Sequence, residues 1–211
     1  TRKRKSKNIH MGKRRPANVQ PPSKTQFMKI LLVVEPGIDG VFKHVEGLSH
    51  FLMEQHHQMH LAYSSVRGSD ALNTLVKKIE NQNGKTLDLQ VSNAPCLGDF
   101  RAFFKLWRLI QKIKPDAIHG HSSKAGALVR MLPFVGVTVP LFYTPHAYYG
   151  MTPRKGMMAP IYNLIEKIFG KIGKTFNISR DEALFAQKKL GVPSSRITIS
   201  HNPVNSDIFL P

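Results

Sequence analysis

Two histidine-bearing segments of the chain each read as the end of a buried strand that continues into a polar turn. Residues 119–124 read His-Gly-His-Ser-Ser-Lys, and residues 144–146 read Thr-Pro-His. A predicted helix begins directly after the first segment. At the carboxyl edge of an open parallel sheet, such polar strand ends face the crevice where ligands bind. The pattern therefore predicts a ligand site whose candidate residues are His121, Ser123, Lys124 and His146.

The two alternating histidines raise the question of a metal site. His119 and His121 are two residues apart on a predicted strand, so their side chains point to the same side. Two imidazoles and a carboxylate would suit a metal ion, but the sequence places no third ligand nearby and the charge of Lys124 would repel a cation. We therefore expect no metal. The remaining alternatives are that one histidine only shapes the crevice, that the serines only cap the helix, or that His146 acts on a ligand as hydrogen-bond partner or acid–base group.

A glycine-containing loop follows the first predicted strand. Gly37 and Gly40 lie between that strand and a helix, where backbone N–H groups and the helix dipole can hold an anion. The spacing is not the G-x-G-x-x-G of dinucleotide-binding proteins. The glycines indicate either an anion or substrate contact, or only the backbone freedom that a tight turn needs.

Strands and helices alternate along the chain from Met28 onward. Residues 28–34 form a continuous apolar run with β-branched members, which is typical of a strand buried on both faces. Further strands are predicted at 59–64, 87–91, 116–120, 139–144, 174–178 and 196–200, and helices at 41–55, 70–81, 99–113, 123–133, 159–170 and 180–189. This alternation predicts an α/β fold with a Rossmann-like, doubly wound, mostly parallel sheet and right-handed crossovers.

The strong positive charge is concentrated at the N-terminus. The net charge is +18, and residues 1–27 hold nine Lys or Arg and no acidic residue. A segment with so few apolar residues cannot bury enough surface to fold, so 1–27 is predicted to be a disordered basic tail before one domain at 28–211. It could hold an anionic membrane or nucleic acid through phosphates, or it could be translated sequence upstream of a start at Met28.

The predicted helix at 99–113 carries two stripes. Phe100, Phe103, Phe104, Trp107 and Ile110 recur at helical spacing and are predicted to face the core. Arg101, Lys105, Arg108 and Lys112 form a basic stripe, which is either a solvated face or a contact with an acidic membrane surface. No apolar run approaches the ~20 residues of a membrane span. The single cysteine, Cys96, excludes an internal disulfide and fits a reducing cytoplasm.

Taken in order, several segments resemble one family. The segments are 39–45 (Asp-Gly-Val-Phe-Lys-His-Val), 60–65, 115–126, 144–147, 179–182 and 199–204. Their order and spacing resemble the N-terminal half of family-4-type glycosyltransferases of GT-B architecture, over nearly all of 28–209. The chain is most similar to the bacterial enzymes that build capsular and exopolysaccharide chains.

The resemblance implies two Rossmann-like domains with a cleft between them. The N-terminal domain would receive a glycan or lipid-linked acceptor, and the C-terminal domain would bind a nucleotide diphosphate sugar. The glycosyl group would be transferred with retention of configuration by positioning and leaving-group stabilisation, without a cofactor. The family's functional positions map onto Asp39 and Gly40 near the donor phosphates and acceptor, His146 near the transferred sugar, and Ser179 and Asn202 at the cleft floor and linker.

The chain departs from the family pattern at two points. The family usually has Gly-Gly where this chain has Asp39-Gly40. The sequence also stops at Pro211, where the donor-binding domain would begin, so we expect this polypeptide to be inactive without it. The alternative is a non-catalytic binding or scaffold domain that docks on anionic membrane or nucleic acid. For the enzyme we expect a cytoplasmic location at the inner membrane face and no specific nucleic-acid partner.

Overall fold

The computed structural model describes residues 26–92, 95–151 and 159–201. The seven strands are β1 (Lys29–Val34), β2 (Gln58–Tyr63), β3 (Thr86–Asp88), β4 (Ala117–His121), β5 (Leu141–Thr144), β6 (Lys174–Asn177) and β7 (Ile197–Ile199). The six α-helices are α1 (Asp39–Glu54), α2 (Asp70–Asn81), α3 (Gly98–Ile113), α4 (Ser123–Met131), α5 (Ala159–Phe169) and α6 (Arg180–Lys188). Each predicted strand and helix is present.

All seven strands run parallel in the order β3-β2-β1-β4-β5-β6-β7. This order reverses direction between β1 and β4, because the chain first winds outward from β1 to β3 and then returns to β4. Ligands of doubly wound proteins bind beside such a switch point, at the carboxyl ends of the strands. The predicted Rossmann-like fold class is confirmed.

Alternate residues of the central strands divide the core into two layers. Leu31 and Val33 of β1 pack with α3 and α4 in one cluster, whereas Leu32 and Val34 pack with α1 and α2 on the other face. In β4, Ile118 joins the α3–α4 layer, and a Cβ on Gly120 would lie only 3.1 Å from the Ala125 carbonyl oxygen of α4. The intervening residues of β4, which include both histidines, therefore face the α1 side of the sheet.

Three predictions about local structure need correction. Strand β3 ends at Asp88 rather than at 91, because Gln90 has a left-handed φ of 54° that breaks the extended backbone. Helix α4 ends at Met131, where a 3₁₀ turn with Pro133 near its start takes over. The aromatic stripe of α3 does not face the core as a whole. Phe103 and Ile110 are buried, but Phe100 and Phe104 are 61% and 55% exposed.

The exposed aromatic residues of α3 lie at the border of its buried stripe. The helix buries Ala102, Phe103, Leu106, Ile110 and Ile113. At about 100° per residue, the two exposed phenylalanines fall between this stripe and the basic one. The predicted disordered tail lies almost wholly outside the described residues. Among the described residues, we find no helix that is both long and apolar enough to span a bilayer.

Candidate functional site

Three strand ends come together at the switch point of the sheet. The register aligns Val34 of β1 with His121 of β4, and His121 with Thr144 of β5. His146 follows β5 after one intervening proline. The sequence-predicted juxtaposition of the two histidine-bearing strand ends is therefore present in the structure.

The site contains a cluster of three imidazoles, which we call the histidine cluster: His44, His121 and His146. His121 Nδ1 and His146 Nε2 lie 3.1 Å apart, so that one ring nitrogen donates a hydrogen bond and the other accepts it. The ring of His44, from the second turn of α1, lies 4.8 Å from the ring of His146 and 5.5 Å from that of His121, between centroids. The potential ligand nitrogens of all three lie within 4.8 Å of one another.

His119 lies two residues before His121 on β4 and packs against its ring. Its Nε2 is 2.8 Å from Thr144 Oγ1, and its ring centroid is 4.0 Å from that of His121. Because Thr144 belongs to β5, this hydrogen bond links β4 to β5 next to the histidine cluster.

Burial keeps these histidines neutral. It lowers the pKa of His119 to about 3 and that of His146 to about 3, and it lowers the pKa of His121 well below its usual value; the neighbouring imidazoles add to each effect. At neutral pH each ring therefore carries one N–H donor and one nitrogen lone pair. His121 and His146 can donate to or accept from a ligand hydroxyl, but they do not supply a positive charge.

A strained loop presents His146. His146 and Ala147 both have left-handed backbone angles, with φ of 54° and 83°. Non-glycine residues rarely adopt this region unless the surroundings impose it. The surroundings here include the buried carboxylate of Glu182 on α6, which accepts hydrogen bonds from the backbone N–H of Ala147 and, at 2.8 Å, from that of Ile178.

Lys124 and Ser123 open α4 beside the cluster, as predicted. Lys124 is buried, and its Nζ lies 2.8 and 2.9 Å from the two carboxylate oxygens of Asp99 on α3. Ser122 precedes the helix with a φ of 86° and makes no side-chain cap; its buried Oγ has no hydrogen-bond partner among the described residues. The interpretation that capping explains this serine is therefore wrong.

Asp39 and Gly40 begin α1 at the same edge of the sheet. Both residues are exposed, and Asp39 has a φ of 61°. This left-handed angle gives a physical reason for the glycine that the family usually has at this position, because glycine adopts it without a Cβ penalty. A Cβ at Gly40 would meet nothing within 4 Å, so the space in front of this residue is open.

Two predicted site residues, Ser179 and Asn202, belong to the C-terminal part of the chain. Ser179 is the N-cap of α6, where its Oγ accepts a hydrogen bond from the backbone N–H of Glu182 at 3.1 Å. That contact accounts for a serine here in structural terms. Asn202 lies outside the described residues.

A groove of about 650 Å³ continues from the cluster along the α1 face of the sheet. His44, His119 and Thr144 form its polar end, and Phe51, Phe142 and Phe176 are among its apolar walls. The groove is predominantly apolar with a few convergent polar groups at one end, which is the usual composition of a small-molecule site.

Sequence reasoning missed two residues of the site. His44 was part of the segment 39–45 that carries the family resemblance, but a histidine five residues into a helix gives no signal of where its ring points. Glu182 likewise follows a capping serine by three residues, a common helix-start pattern. Its contact with Ala147 spans 35 residues of sequence, and only the fold reveals it.

Comparison with known proteins agrees with this geometry. The model of the family described as Glycosyltransferase Family 4 matches residues 38–208. The chain belongs to glycosyltransferase family 4. A curated relative from Escherichia coli, UDP-Gal:alpha-D-GlcNAc-diphosphoundecaprenol alpha-1,3-galactosyltransferase, is 23% identical over 120 residues, which are 56% of this chain and 31% of that protein.

Solved structures share the fold of this family 4 chain at low identity. A glycosyltransferase from Rickettsia africae superposes with a TM-score of 0.60 at 18% identity, over 88% of this chain and 45% of the other. The Anabaena protein HepE, solved with UDP and glucose, gives a TM-score of 0.61 at 15% identity, over 86% of this chain and 46% of the other. The chain thus spans about half the length of these structures and corresponds to one half of a GT-B fold.

Proposed function

We propose that this family 4 domain receives the acceptor in the transfer of a glycosyl group from a nucleotide diphosphate sugar to a glycan or lipid-linked acceptor, with retention of configuration, in polysaccharide synthesis. The observation that carries the proposal is the strained, anchored loop that holds neutral His146 at the switch point of the sheet. We place the neutral imidazole where the acceptor meets the transferred sugar, so that it can accept from, or donate to, hydroxyls of both.

The roles of the other residues follow from their positions. Gly40 leaves room at the start of α1, where the helix dipole favours the phosphates of the donor. We place Ser123 and the Lys124–Asp99 pair on the side of the histidine cluster where the acceptor would bind. Ser179, at the start of α6, would line the cleft toward a donor-binding half, and the family resemblance assigns Asn202 to the same cleft. In this arrangement, the domain contributes positioning rather than a nucleophile.

Acceptor binding can be tested on the chain itself. Short-chain polyprenyl diphosphate sugars, titrated calorimetrically, are expected to bind to the wild-type chain and at least 10-fold more weakly to His146→Ala. Free nucleotide sugars are expected to bind weakly, because the donor half of the fold provides most of their contacts. Equal acceptor binding by both chains would contradict the assignment.

Catalysis needs the other half of the fold, and a fusion supplies it. We propose a fusion enzyme that joins this chain to the donor-binding half of the E. coli galactosyltransferase. We expect transfer from UDP-galactose by the fusion and none by the chain alone. The alternative function, a non-catalytic module that docks on membrane or nucleic acid, predicts that neither protein transfers sugar and that neither binds the acceptor.

The first turns of α3 suggest how the domain meets a lipid-linked acceptor. Phe100 and Phe104 are exposed beside Arg101 and Arg108, and an aromatic edge next to a basic stripe is typical of helices that lie on anionic membranes. We place peripheral membrane contact on this face. Since α3 begins at the carboxyl edge of the sheet, the contact would bring the membrane surface close to the histidine cluster.

Vesicle sedimentation tests this contact. The double substitution Phe100→Ser and Phe104→Ser is expected to weaken binding to phosphatidylglycerol vesicles at least 5-fold. Phe134→Ser is the control, because Phe134 is more exposed than Phe100 or Phe104 but follows α4 at the opposite edge of the sheet. If binding persists in the double variant and depends only on salt, the basic N-terminal segment rather than α3 is responsible.

A further inference from the structure

The histidine cluster has the composition of a transition-metal site. Imidazole nitrogen is the preferred neutral ligand of Zn²⁺, Cu²⁺ and Ni²⁺, and three histidines with an open fourth position are a recurrent zinc arrangement. Here the rings come from three separate elements: His44 from α1, His121 from β4 and His146 from the loop after β5. Among the described residues, this is the one group of three or more potential ligands with its ligand atoms this close together.

The spacing of the nitrogens suits a tetrahedral ion. Zinc–nitrogen bonds of 2.0–2.1 Å at tetrahedral angles place two ligand nitrogens roughly 3.3 Å apart. His121 Nδ1 and His146 Nε2 already stand at 3.1 Å. The widest separation in the cluster is within 4.8 Å, so the third nitrogen must close by at most about 1.5 Å, which rotation of the half-buried His44 side chain can provide.

Two of the ligand nitrogens make a hydrogen bond to each other, so a tautomer must change when an ion binds. His121 Nδ1 and His146 Nε2 lie 3.1 Å apart. The hydrogen that they share lies between two potential ligand atoms. Binding would move that hydrogen to the other nitrogen of its ring by exchange with solvent, with no net proton release.

The structure removes both sequence-based objections to a metal. The sequence placed no third ligand nearby, and the fold brings His44 there. The sequence also placed the cation of Lys124 beside the strand end, but its ammonium is paired with both carboxylate oxygens of Asp99. The local charge that would oppose a divalent ion is therefore largely compensated.

We propose that His44, His121 and His146 form a binding site for a divalent transition-metal ion, with Zn²⁺ as the reference ion, and that its occupancy inhibits the domain. The second clause rests on the proposed function: a metal that takes the ring nitrogen of His146 withdraws it from the sugar. The fourth coordination position stays open to water. Zinc would then act as a competitor of the acceptor rather than as a cofactor of transfer.

Metal binding is measured without any substrate. The full chain, freed of metal by a chelator, is titrated with Co²⁺ while the visible absorption of tetrahedral Co²⁺ is recorded, and Zn²⁺ affinity is obtained by competition with a chromophoric chelator. We expect one tight equivalent, at least a 10-fold loss of affinity in His44→Ala and in His146→Ala, and no change in the control His56→Asn. His56 is exposed and has a left-handed φ that asparagine tolerates.

Two results would overturn the site. One is the absence of tight binding in the wild-type chain. The other is the same stoichiometry and affinity in the wild-type chain and both alanine variants, which would place the ion on other histidines. Circular dichroism of each variant shows whether its fold is intact, and the two alanine variants provide independent tests.

The inhibitory clause is tested separately in the fusion enzyme. One equivalent of Zn²⁺ is expected to raise the KM for the acceptor, and chelation is expected to reverse the effect. Undiminished transfer with the site occupied would refute inhibition while leaving the site established. An inactive fusion whose metal binding is intact would count against the proposed function and not against the site.

Discussion

At the residue scale, several residues at the strand ends and at the start of α1 have strained backbone angles. They lie where the proposed ligand would approach. Asp39, Ser122, His146 and Ala147 all have left-handed backbone angles at the same edge of the sheet. Such angles cost of order 1–3 kcal/mol each and persist where the surrounding structure imposes them. Their concentration around the histidine cluster indicates that the fold maintains this edge at a cost in stability.

At Gly40 we expect one substitution to increase stability and to weaken ligand binding. It lies in the first turn of α1, and a Cβ there would meet nothing within 4 Å, so Gly40→Ala is expected to raise the free energy of unfolding by about 0.4–1 kcal/mol. The same methyl group would intrude on a ligand at the helix start and lower transfer by the fusion enzyme. Gly47→Ala, in the same helix and also in open space, is the control: denaturant unfolding should show a similar gain, with transfer unchanged. If the Gly40→Ala and Gly47→Ala enzymes transfer sugar equally well, Gly40 does not belong to the site.

At the scale of secondary-structure elements, helix α6 connects the loop after β5 with the end of β6 at the edge of the sheet that carries the candidate site. Its first turn supplies Glu182, whose carboxylate connects the loop after β5 with the end of β6. Burial raises the pKa of Glu182, while the two backbone hydrogen bonds oppose that rise. The helix therefore positions His146 without contacting the ligand itself.

Removing this anchor should cost both stability and transfer. Glu182→Ala leaves the backbone N–H of Ile178 and Ala147 without their acceptor, which we expect to lower the free energy of unfolding by about 1–3 kcal/mol. Glu182→Gln retains one acceptor oxygen and should lose roughly half as much. Asp181→Asn, an exposed acid on the same turn, should change the stability by less than about 0.5 kcal/mol. In the fusion enzyme, Gln should restore much of the kcat that Ala removes; a kcat unaffected by either change would show that Glu182 does not position His146.

The elements were predictable, and the side-chain contacts within the site were not. A continuous apolar run with β-branched residues identifies β1, and capping residues such as Ser69 and Ser179 mark helix starts, because these signals are local. The outward Phe100 and Phe104 were misassigned, since helical spacing reveals a stripe but not where its edge meets solvent. His44 contacts His121, which is 77 residues away in sequence, and Glu182 contacts Ala147, which is 35 residues away. Only the strand order of the sheet brings these residues together.

At the scale of the whole molecule, buried neutral histidines make stability depend on pH. Burial lowers the pKa of His60 to about 4, and those of His119 and His146 to about 3. Each is about 6.5 in the unfolded chain, so the unfolded state binds more protons below that value. The stability is fully present above pH 6.5 and falls as the pH decreases toward the folded-state values.

The loss should approach about 1.4 kcal/mol per pH unit for each of these histidines. At pH 5 the three together would remove about 6 kcal/mol, which is comparable with the whole stability of a typical domain. Urea unfolding in metal-free buffer between pH 7.5 and 4.5 measures this slope. His60→Gln, outside the site, should reduce the slope by about one proton. A stability independent of pH over this range would show that these histidines are not buried in the neutral form.

The proposed contact of His146 with the sugar is tested by transfer kinetics. Transfer by the fusion enzyme is compared for wild type, His146→Ala and the control His56→Asn, with kcat and KM determined for the acceptor and the free energy of unfolding measured for each protein. We expect His146→Ala to lower kcat/KM at least 100-fold while the protein remains folded and the control stays fully active. Full activity in a folded His146→Ala enzyme would refute the proposed role of His146.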